Sequence, residues 1–472
     1  MLSITDVTVA TGGKIISESG QEFSGVSIDS RTIKEGDLFI ALKGDRFDGH
    51  DFVNEALKKG SGAIVQKPGL PEFKNQKSKF NNKTVIFVDD TLLALHSLAK
   101  YIRKRFKGRV IGVVGSNGKT TTKELISAIL GLKFNVIKTE GNLNNHIGMP
   151  LCIINGSKNW MPGNSGDIMV LEMGTNRPGD INELCSIALP DIGVVTNIGY
   201  EHLQGFGSLH KVRESELEIL PYVNKVAANA DDSFLMEGIF SEFDGEIVTF
   251  GIENRKAVLT AGDIVFSDDG TKFYIQTGDT KALINSRLSG RFNIYNSLAA
   301  ASAACILGFG MEDIKNGIES FGGMDMRFEV RDVRGVTFLY DVYNANPSSM
   351  EASLKELSRF AKLKNKKDKR AIAVLGEMLE LGDFETEAHR NLGQQMSESQ
   401  VDIFIGVGSL MPLAIEQFNG KGICFDTAEE AGIELGRILR EGDVVLIKGS
   451  RGKKMERVLD SLKKIKGDIH AL

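Results

Sequence analysis

The chain has 472 residues, enough for two to four domains at about 150 residues each. Hydrophobic residues make up 42% and charged residues 25%, the ordinary balance of a soluble globular protein. The net charge of −5 gives no reason to expect nucleic acid or an anionic membrane as partner.

No stretch approaches the roughly 20 apolar residues of a membrane-spanning helix. The N-terminus lacks a basic patch running into a long apolar segment, so no signal peptide is expected. Cys152, Cys185, Cys305 and Cys424 are scattered without metal-site spacing and read as buried thiols in a reducing compartment. A cytoplasmic, monomeric protein is the expectation.

Residues 1–106 read as a small α/β domain. Val26–Arg31 alternates like a short strand running into a polar turn, and Gly36–Leu42 reads as turn then strand. Phe52–Lys59 reads as a helix stopped by Gly60, and Ala63–Val65 and Val85–Val88 as further strands. Asp90 or Thr91 caps a helix with Leu92, Leu95, Leu98, Ala99 and Ile102 on one face. The polar stretch 67–83 reads as a loop. The basic run Arg103–Arg109 reads as a linker or as a solvated helix end.

Residues 107–325 alternate strands and helices, as a mostly parallel sheet requires. Strands are expected at 110–114, 135–138, 168–172, 192–196, 225–229 and 247–250. A small antiparallel insertion is expected at 257–288, and an alanine-rich helix at 293–308. The first strand runs into Gly115-Ser116-Asn117-Gly118-Lys119-Thr120-Thr121, after which a helical pattern begins. Strand, tight turn and helix N-terminus make an anion site, because free N–H groups and the helix dipole point at the turn. Lys119 would meet the terminal phosphates of a nucleotide, and the hydroxyl of Thr120 or Thr121 would hold Mg²⁺. The longer phosphate-loop form needs glycine at position 113, where this chain has Val113. Ligands of open α/β sheets bind at the carboxyl ends of strands, so Glu172, Asn197 and His202 should gather near this turn.

Residues 326–472 form a third α/β unit, with strands expected at 336–340, 371–375, 402–407 and 443–447. The basic run 362–370 reads as a solvated loop.

Several residues could carry chemistry, each with a plainer alternative. Glu172 suits a Mg²⁺ ligand, because hard cations prefer oxygen, or is a surface glutamate. His202 is a second metal ligand or a structural histidine. Asn142, Asn144 and Asn145 offer the donors and acceptors a peptide-like ligand needs, or form an Asn-rich turn. Asp341 could accept hydrogen bonds from ribose hydroxyls, and Asn346-Pro347-Ser348 after it also fits a turn and cap. Lys448–Gly452 could contact phosphate or carboxylate, or be a solvated turn.

Taken together, these motifs resemble the Mur ligases, which build the peptidoglycan stem peptide by ATP-dependent amide formation. The matches run through all three units: Ser27-Ile28-Asp29-Ser30-Arg31, Asp48–Phe52, Gly115–Thr121, Gly141–Gly148, Leu171–Gly174, Thr196–Gly199 and His202–Ser208. The most discriminating are Tyr343–Met350 and Val374–Gly382, which are similar to the dipeptide-adding branch, and Lys448–Gly452 ends the series. The resemblance implies three α/β domains: a small N-terminal one, a central P-loop one with a mostly parallel sheet, and a Rossmann-like C-terminal one. It implies that UDP-N-acetylmuramoyl-tripeptide and D-alanyl-D-alanine are joined at the expense of ATP. Ser30 and Arg31 would lie near the UDP end of the substrate. Gly115–Thr121 would bind ATP, with Thr120, Glu172 and His202 on Mg²⁺. Asn296 would lie near adenine, Arg327 near the phosphates and Asp341 at ribose. Asn344 and Asn346, in the third domain, would help hold the dipeptide.

Three positions depart from the family pattern. Glu216 stands where the family commonly has a carbamylated lysine, and is expected to replace that carboxylate at a second Mg²⁺ or to lie on an acidic helix face. Phe292 stands where a histidine is frequent, and Tyr340 where a second aspartate is. A related ligase adding a single amino acid, or a nucleotide-binding relative without ligation, is the alternative.

Overall fold

The computed structural model describes residues 2–19, 22–66, 83–159, 167–267, 269–363 and 369–466. The loop expected at 67–83, apart from Lys83, and most of the one expected at 362–370 lie outside them. Three sheets organise the chain, one to each of three α/β domains.

The first sheet has five strands in the order Lys14–Ser17, Thr84–Val88, Gly62–Gln66, Asp37–Ile40, Gly25–Ser27. Only Lys14–Ser17 runs antiparallel. That edge strand and the helix Ile4–Thr11 before it escape a periodicity reading. The helix is short, and its start is set by Ser3 and Asp6, which satisfy each other's backbone in a capping box.

The helix Thr91–Arg105 joins the first domain to the second. Asp90 is its cap, accepting from the N–H groups of Leu92 and Leu93. Its face of Leu95, Leu98, Ala99 and Ile102 enters one apolar core with Ile86 of the first sheet and Met149 and Leu184 of the central domain. The basic end is docked rather than a linker. Arg103 is buried and donates to the carbonyls of Ala188 (2.6 Å) and Leu189 (2.7 Å), closing the end of the helix Asp180–Ala188. Arg105 pairs with Asp6, and Arg109 with Asp191.

The central sheet has nine strands, ordered Thr280–Ser286, Gly270–Thr277, Leu259–Ser267, Glu246–Gly251, Lys225–Asn229, Ile192–Val195, Arg109–Val114, Asp167–Glu172, Asn135–Lys138. The antiparallel meander at 259–286 is not a separate insertion. Leu259 and Thr260 pair parallel with Phe250 and Gly251, so the meander extends the main sheet. The alanines of the helix Arg291–Ile306 let it pack closely on the helix Lys119–Leu130, in a core with Ile111, Val113, Leu125 and Leu298.

The third sheet has six strands, ordered Glu329–Val333, Val336–Asp341, Val444–Lys448, Ala371–Gly376, Ile403–Val407, Lys421–Phe425. The two edge strands are half-polar and gave no clear alternation in the sequence. Leu203, Phe206 and Val212 of the central segment bury among Met350, Leu354 and Leu375 of this third domain. The second and third domains therefore share an apolar contact beside the site. Cys152 and Cys185 are buried, while Cys305 and Cys424 are only partly so, and all are free thiols. Among the described residues no helix is long and apolar enough to cross a membrane.

Candidate active site

The strand Arg109–Val114 hands over to a turn and then to the helix Lys119–Leu130. Gly115 (φ +117°) and Gly118 (φ +83°) lie where L side chains are disfavoured. A Cβ at Gly115 would collide with Thr196 Oγ1, and one at Gly118 with Asn296 Oδ1. Val113 needs no such freedom, because it is still inside the strand, paired with Glu172 and Val194. The turn is fastened from outside. Ser116 N–H donates to the Asn197 carbonyl at 2.9 Å, and Asn117 N–H to Asn197 Oδ1 at 3.1 Å.

A cavity of about 1220 Å³ opens over this turn, lined by Ser116, Asn117, Gly118, Lys119, Thr120 and Thr121. Asn142, Asn144, Asn145, Glu172, Asn197, His202 and Asn296 line it from the central domain. Asp341, Asn344, Asn346 and Lys448 line it from the third, and Arg327 from the join between them. Asp45 borders it from the first domain. Ser30 and Arg31 do not line this cavity. Ser30 is buried, and Arg31 is exposed and grips Asp29, whose carboxyl it holds down at about 2. Any role for them is at a distance from the phosphate loop.

Glu172, 3% exposed, is the polar centre of one wall. Its Oε1 accepts from Thr120 Oγ1 (3.1 Å) and Asn144 Nδ2 (2.8 Å), while its Oε2 has no hydrogen-bond partner. Lys123 Nζ is 3.9 Å from Oε2 and donates to the Thr139 carbonyl at 2.6 Å. Arg327 Nη2 donates to Thr120 Oγ1 at 2.9 Å, with its guanidinium 3.8 Å from the Tyr343 ring centre. An unpartnered carboxylate oxygen beside a hydroxyl suits a hard divalent cation. Among the described residues no group of three or more His, Cys, Asp or Glu forms a metal site by itself. An ion here would share its shell with nucleotide phosphates, as Mg²⁺ commonly does.

Behind the loop lie two carboxylates. Lys119 Nζ donates to the Gly115 carbonyl at 2.5 Å and stands 3.5 Å from Glu201 Oε2. Burial opposes the charge on Lys119, yet Glu201, Glu216 and Glu172 together hold its pKa above the ordinary lysine value. Burial pushes Glu201 up to about 8, with Lys119 opposing and Glu216 adding. Glu216 is pushed up by the same burial. One ammonium faces two buried carboxylates, so burial outweighs its attraction at both. Glu216 does not line the cavity, where a metal ligand would stand. The helix Leu209–Glu216 ends beneath the loop, and Oε2 of Glu216 accepts the Gly115 N–H at 2.6 Å. The glutamate stem places its charge under the turn.

The remaining sites are held by short-range partners. Asn296 Nδ2 donates to Asn293 Oδ1 at 3.0 Å, leaving the amide against Gly118. Asp341 Oδ2 accepts from Lys448 Nζ (2.6 Å) and Ser353 Oγ (3.0 Å). Tyr340 alternates to the other face of that strand and stacks under Arg331, so a residue change there does not touch the cavity. Phe292 packs edge-on against Phe328, 4.9 Å between centres. Asn117 of the loop meets Asn346 (3.0 Å) and Ser348 (3.1 Å) of the third domain. Sequence reasoning missed Glu201, Lys123 and Glu380 as parts of this site. The first two stand two residues or fewer from motif residues already singled out, and Glu380 lies inside a quoted motif, but only the packing shows where their charges go.

A P-loop domain sharing its phosphate site with a linker arginine and a Rossmann-like lobe defines an ATP-using ligase architecture. Models of three families or domains match in chain order. They are the "Mur ligase family, catalytic domain" at residues 22–103, the "Mur ligase middle domain" at 113–304 and the "Mur ligase, glutamate ligase domain" at 326–451. The chain belongs to the Mur ligase family. It is 36% identical over 93% of both chains to the UDP-N-acetylmuramoyl-tripeptide--D-alanyl-D-alanine ligase of Bacillus subtilis. It is similar to the crystal structure of MurF from Acinetobacter baumannii, with TM-score 0.84 and 28% identity, covering 98% of this chain and 99% of that one. The MurF ligase of Thermotoga maritima in complex with ADP gives TM-score 0.79 at 31% identity, covering 93% of this chain and 97% of that one.

Proposed function

We propose that this chain joins D-alanyl-D-alanine to UDP-N-acetylmuramoyl-tripeptide with conversion of ATP to ADP. The observation that supports it most is the single cavity where the phosphate loop, Arg327 and the Asp341–Asn346 turn meet. The relatives of full length named for that reaction add to it.

In the first step the tripeptide carboxylate attacks the γ-phosphorus of ATP, and ADP leaves, giving an acyl phosphate. In the second the dipeptide amine attacks the acyl carbon, a tetrahedral intermediate forms, and phosphate departs. The first step brings two anions together, so screening of charge is the main demand on the protein. Lys119 would extend from Gly115 O toward the β- and γ-phosphates, and Arg327 would face the same oxygens. The loop N–H groups at the start of Lys119–Leu130 would complete the cradle. Thr120, Glu172 and His202 would hold Mg²⁺, which would screen phosphate charge when bound. Glu216 would act from beneath the loop.

Asn296 would stand toward adenine, and Asp341 toward ribose, its carboxylate oriented by Lys448. Asn142, Asn144 and Asn145 would meet the peptide of the nucleotide substrate, and Asn344 and Asn346 the incoming dipeptide. The first domain, with Ser30 and Arg31, would take the UDP end. Every residue named comes from one chain, so a monomer suffices. The domain limits would be 1–106 for the UDP-substrate domain, 107–325 for the ATP-binding domain and 326–472 for the closing ligase domain.

ADP release measured against both substrates tests this reading. Release requiring UDP-N-acetylmuramoyl-tripeptide and D-alanyl-D-alanine together is expected. Release that needs neither, or that needs a single amino acid in place of the dipeptide, would overturn it.

A further inference from the structure

His202 lines the cavity and meets Glu380, which belongs to a different domain. His202 Nδ1 lies 2.5 Å from Glu380 Oε2. Both residues sit in left-handed backbone, with φ of +46° and +64°, which non-glycine residues adopt only when their surroundings enforce it. The surroundings of Glu380 are rigid. Its turn follows the strand Ala371–Gly376, and the N–H groups of Met378 and Leu379 donate to His389 Nε2 (3.1 Å) and Ser450 Oγ (2.9 Å). The backbone grips the same place as the side chain. Gln204 N–H donates to the Glu380 carbonyl at 3.0 Å, so one residue of the third domain holds both the ring at 202 and the chain at 204.

We infer that Glu380 is a positioning residue for His202, fixing its ring so that metal binding in the central domain is completed by docking of the third domain. A metal-bound histidine almost always gives its other ring N–H to a carboxylate or carbonyl, which sets tautomer and orientation. Here Nδ1–H goes to Glu380, and Nε2 is the nitrogen left for the ion. The carboxylate arrives from another domain, so the ligand is oriented only when the lobes are together. The inference rests on the reading that His202 holds the metal.

The test uses the full chain with a non-hydrolysable ATP analogue and Mn²⁺ as probe, bound ion being read by electron paramagnetic resonance. Glu380→Ala should weaken Mn²⁺ binding about tenfold or more. His202→Ala should weaken it as much, and the double variant should add nothing further, because both act through one contact. In metal-free protein labelled with ¹⁵N-histidine, the slow-exchanging Nδ1–H of His202 should disappear in Glu380→Ala. Glu380 is 61% exposed at its side chain, so the variant should fold, and Glu380→Leu, which has no acceptor for the ring N–H, provides the same readings if it does not. Loss at His202→Ala with less than a threefold change at Glu380→Ala would overturn the inference alone. An unchanged affinity in His202→Ala would overturn the metal reading and this inference with it.

Discussion

Arg327 reaches from the join between the second and third domains to Thr120, its Nη2 donating to Oγ1 at 2.9 Å. The contact links the phosphate loop to the chain that leads into the closing lobe. Its guanidinium also lies over the ring of Tyr343 of the third domain, 3.8 Å from the ring centre. A lysine cannot keep the fork and the stack together. Arg327→Lys should therefore lower kcat/KM for ATP about 10²-fold, with most of the loss in kcat, since on the proposed reading the guanidinium must be placed at the transferring phosphoryl group and a lysine would carry the charge without that placement. Steady-state kinetics within threefold of the parent would show that Arg327 only bridges the domains.

Gly118 permits the loop to lie against Asn296. Alanine there meets both a left-handed φ of +83° and the amide oxygen of a buried asparagine. Gly118→Ala should cost on the order of 1–3 kcal/mol in urea unfolding and abolish binding of a fluorescent ATP analogue. Tight analogue binding by a folded Gly118→Ala protein would contradict the loop geometry.

Lys123 is fully buried beside Glu124 (3.0 Å) and Glu172, and it donates to the Thr139 carbonyl. Removing its charge leaves the buried Glu172 and the Thr139 carbonyl without this cation, while Glu124 keeps Lys138. Lys123→Met should destabilise the chain by about 3–5 kcal/mol in urea unfolding, the usual result of breaking a buried pair from one side. A change below about 1 kcal/mol would show that Glu172 does not depend on this charge.

His389 has its pKa lowered, chiefly by burial. Its Nε2 accepts the Met378 N–H at 3.1 Å, and Nδ1 faces the Glu385 carbonyl at 2.6 Å. A histidine whose folded pKa lies below its unfolded one favours folding while neutral. That contribution is present above the ordinary imidazole range, near 6.5, and is lost as pH falls through the lower folded value. The urea midpoint should therefore fall between pH 7.5 and pH 5 by more in the parent than in His389→Gln, whose amide can keep both contacts without titrating. Equal falls in the two proteins would assign the acid loss elsewhere.

Much of this architecture is written locally in the chain. The run Val110–Val114 followed by Gly115–Gly118 and Lys119 specifies strand, turn and helix within a dozen residues, since β-branching, positive φ and helix propensity change in sequence. Glu172 and Asn197 are legible because they end apolar strands. Edge strands such as Lys14–Ser17 and Lys421–Phe425 were not, because one side has no partner to demand apolar residues. The meander at 259–286 was visible as hairpins, but its attachment to the main sheet depends on two residue pairs that no local pattern records. Glu216 reads in the sequence as a second-metal carboxylate or as part of an acidic helix face, and Glu201 is not singled out there. Their burial under the loop depends on where the helix Leu209–Glu216 packs, which is tertiary information.

The central claim is that this cavity brings a peptide's terminal carboxylate onto the γ-phosphorus of ATP. Labelling that carboxylate of UDP-N-acetylmuramoyl-tripeptide with ¹⁸O and analysing the released phosphate by mass spectrometry tests it most directly. Attack by the carboxylate predicts that one labelled oxygen passes into phosphate with each amide bond made. Amide formation with unlabelled phosphate would contradict the acyl-phosphate route and the role given to Lys119 and Arg327.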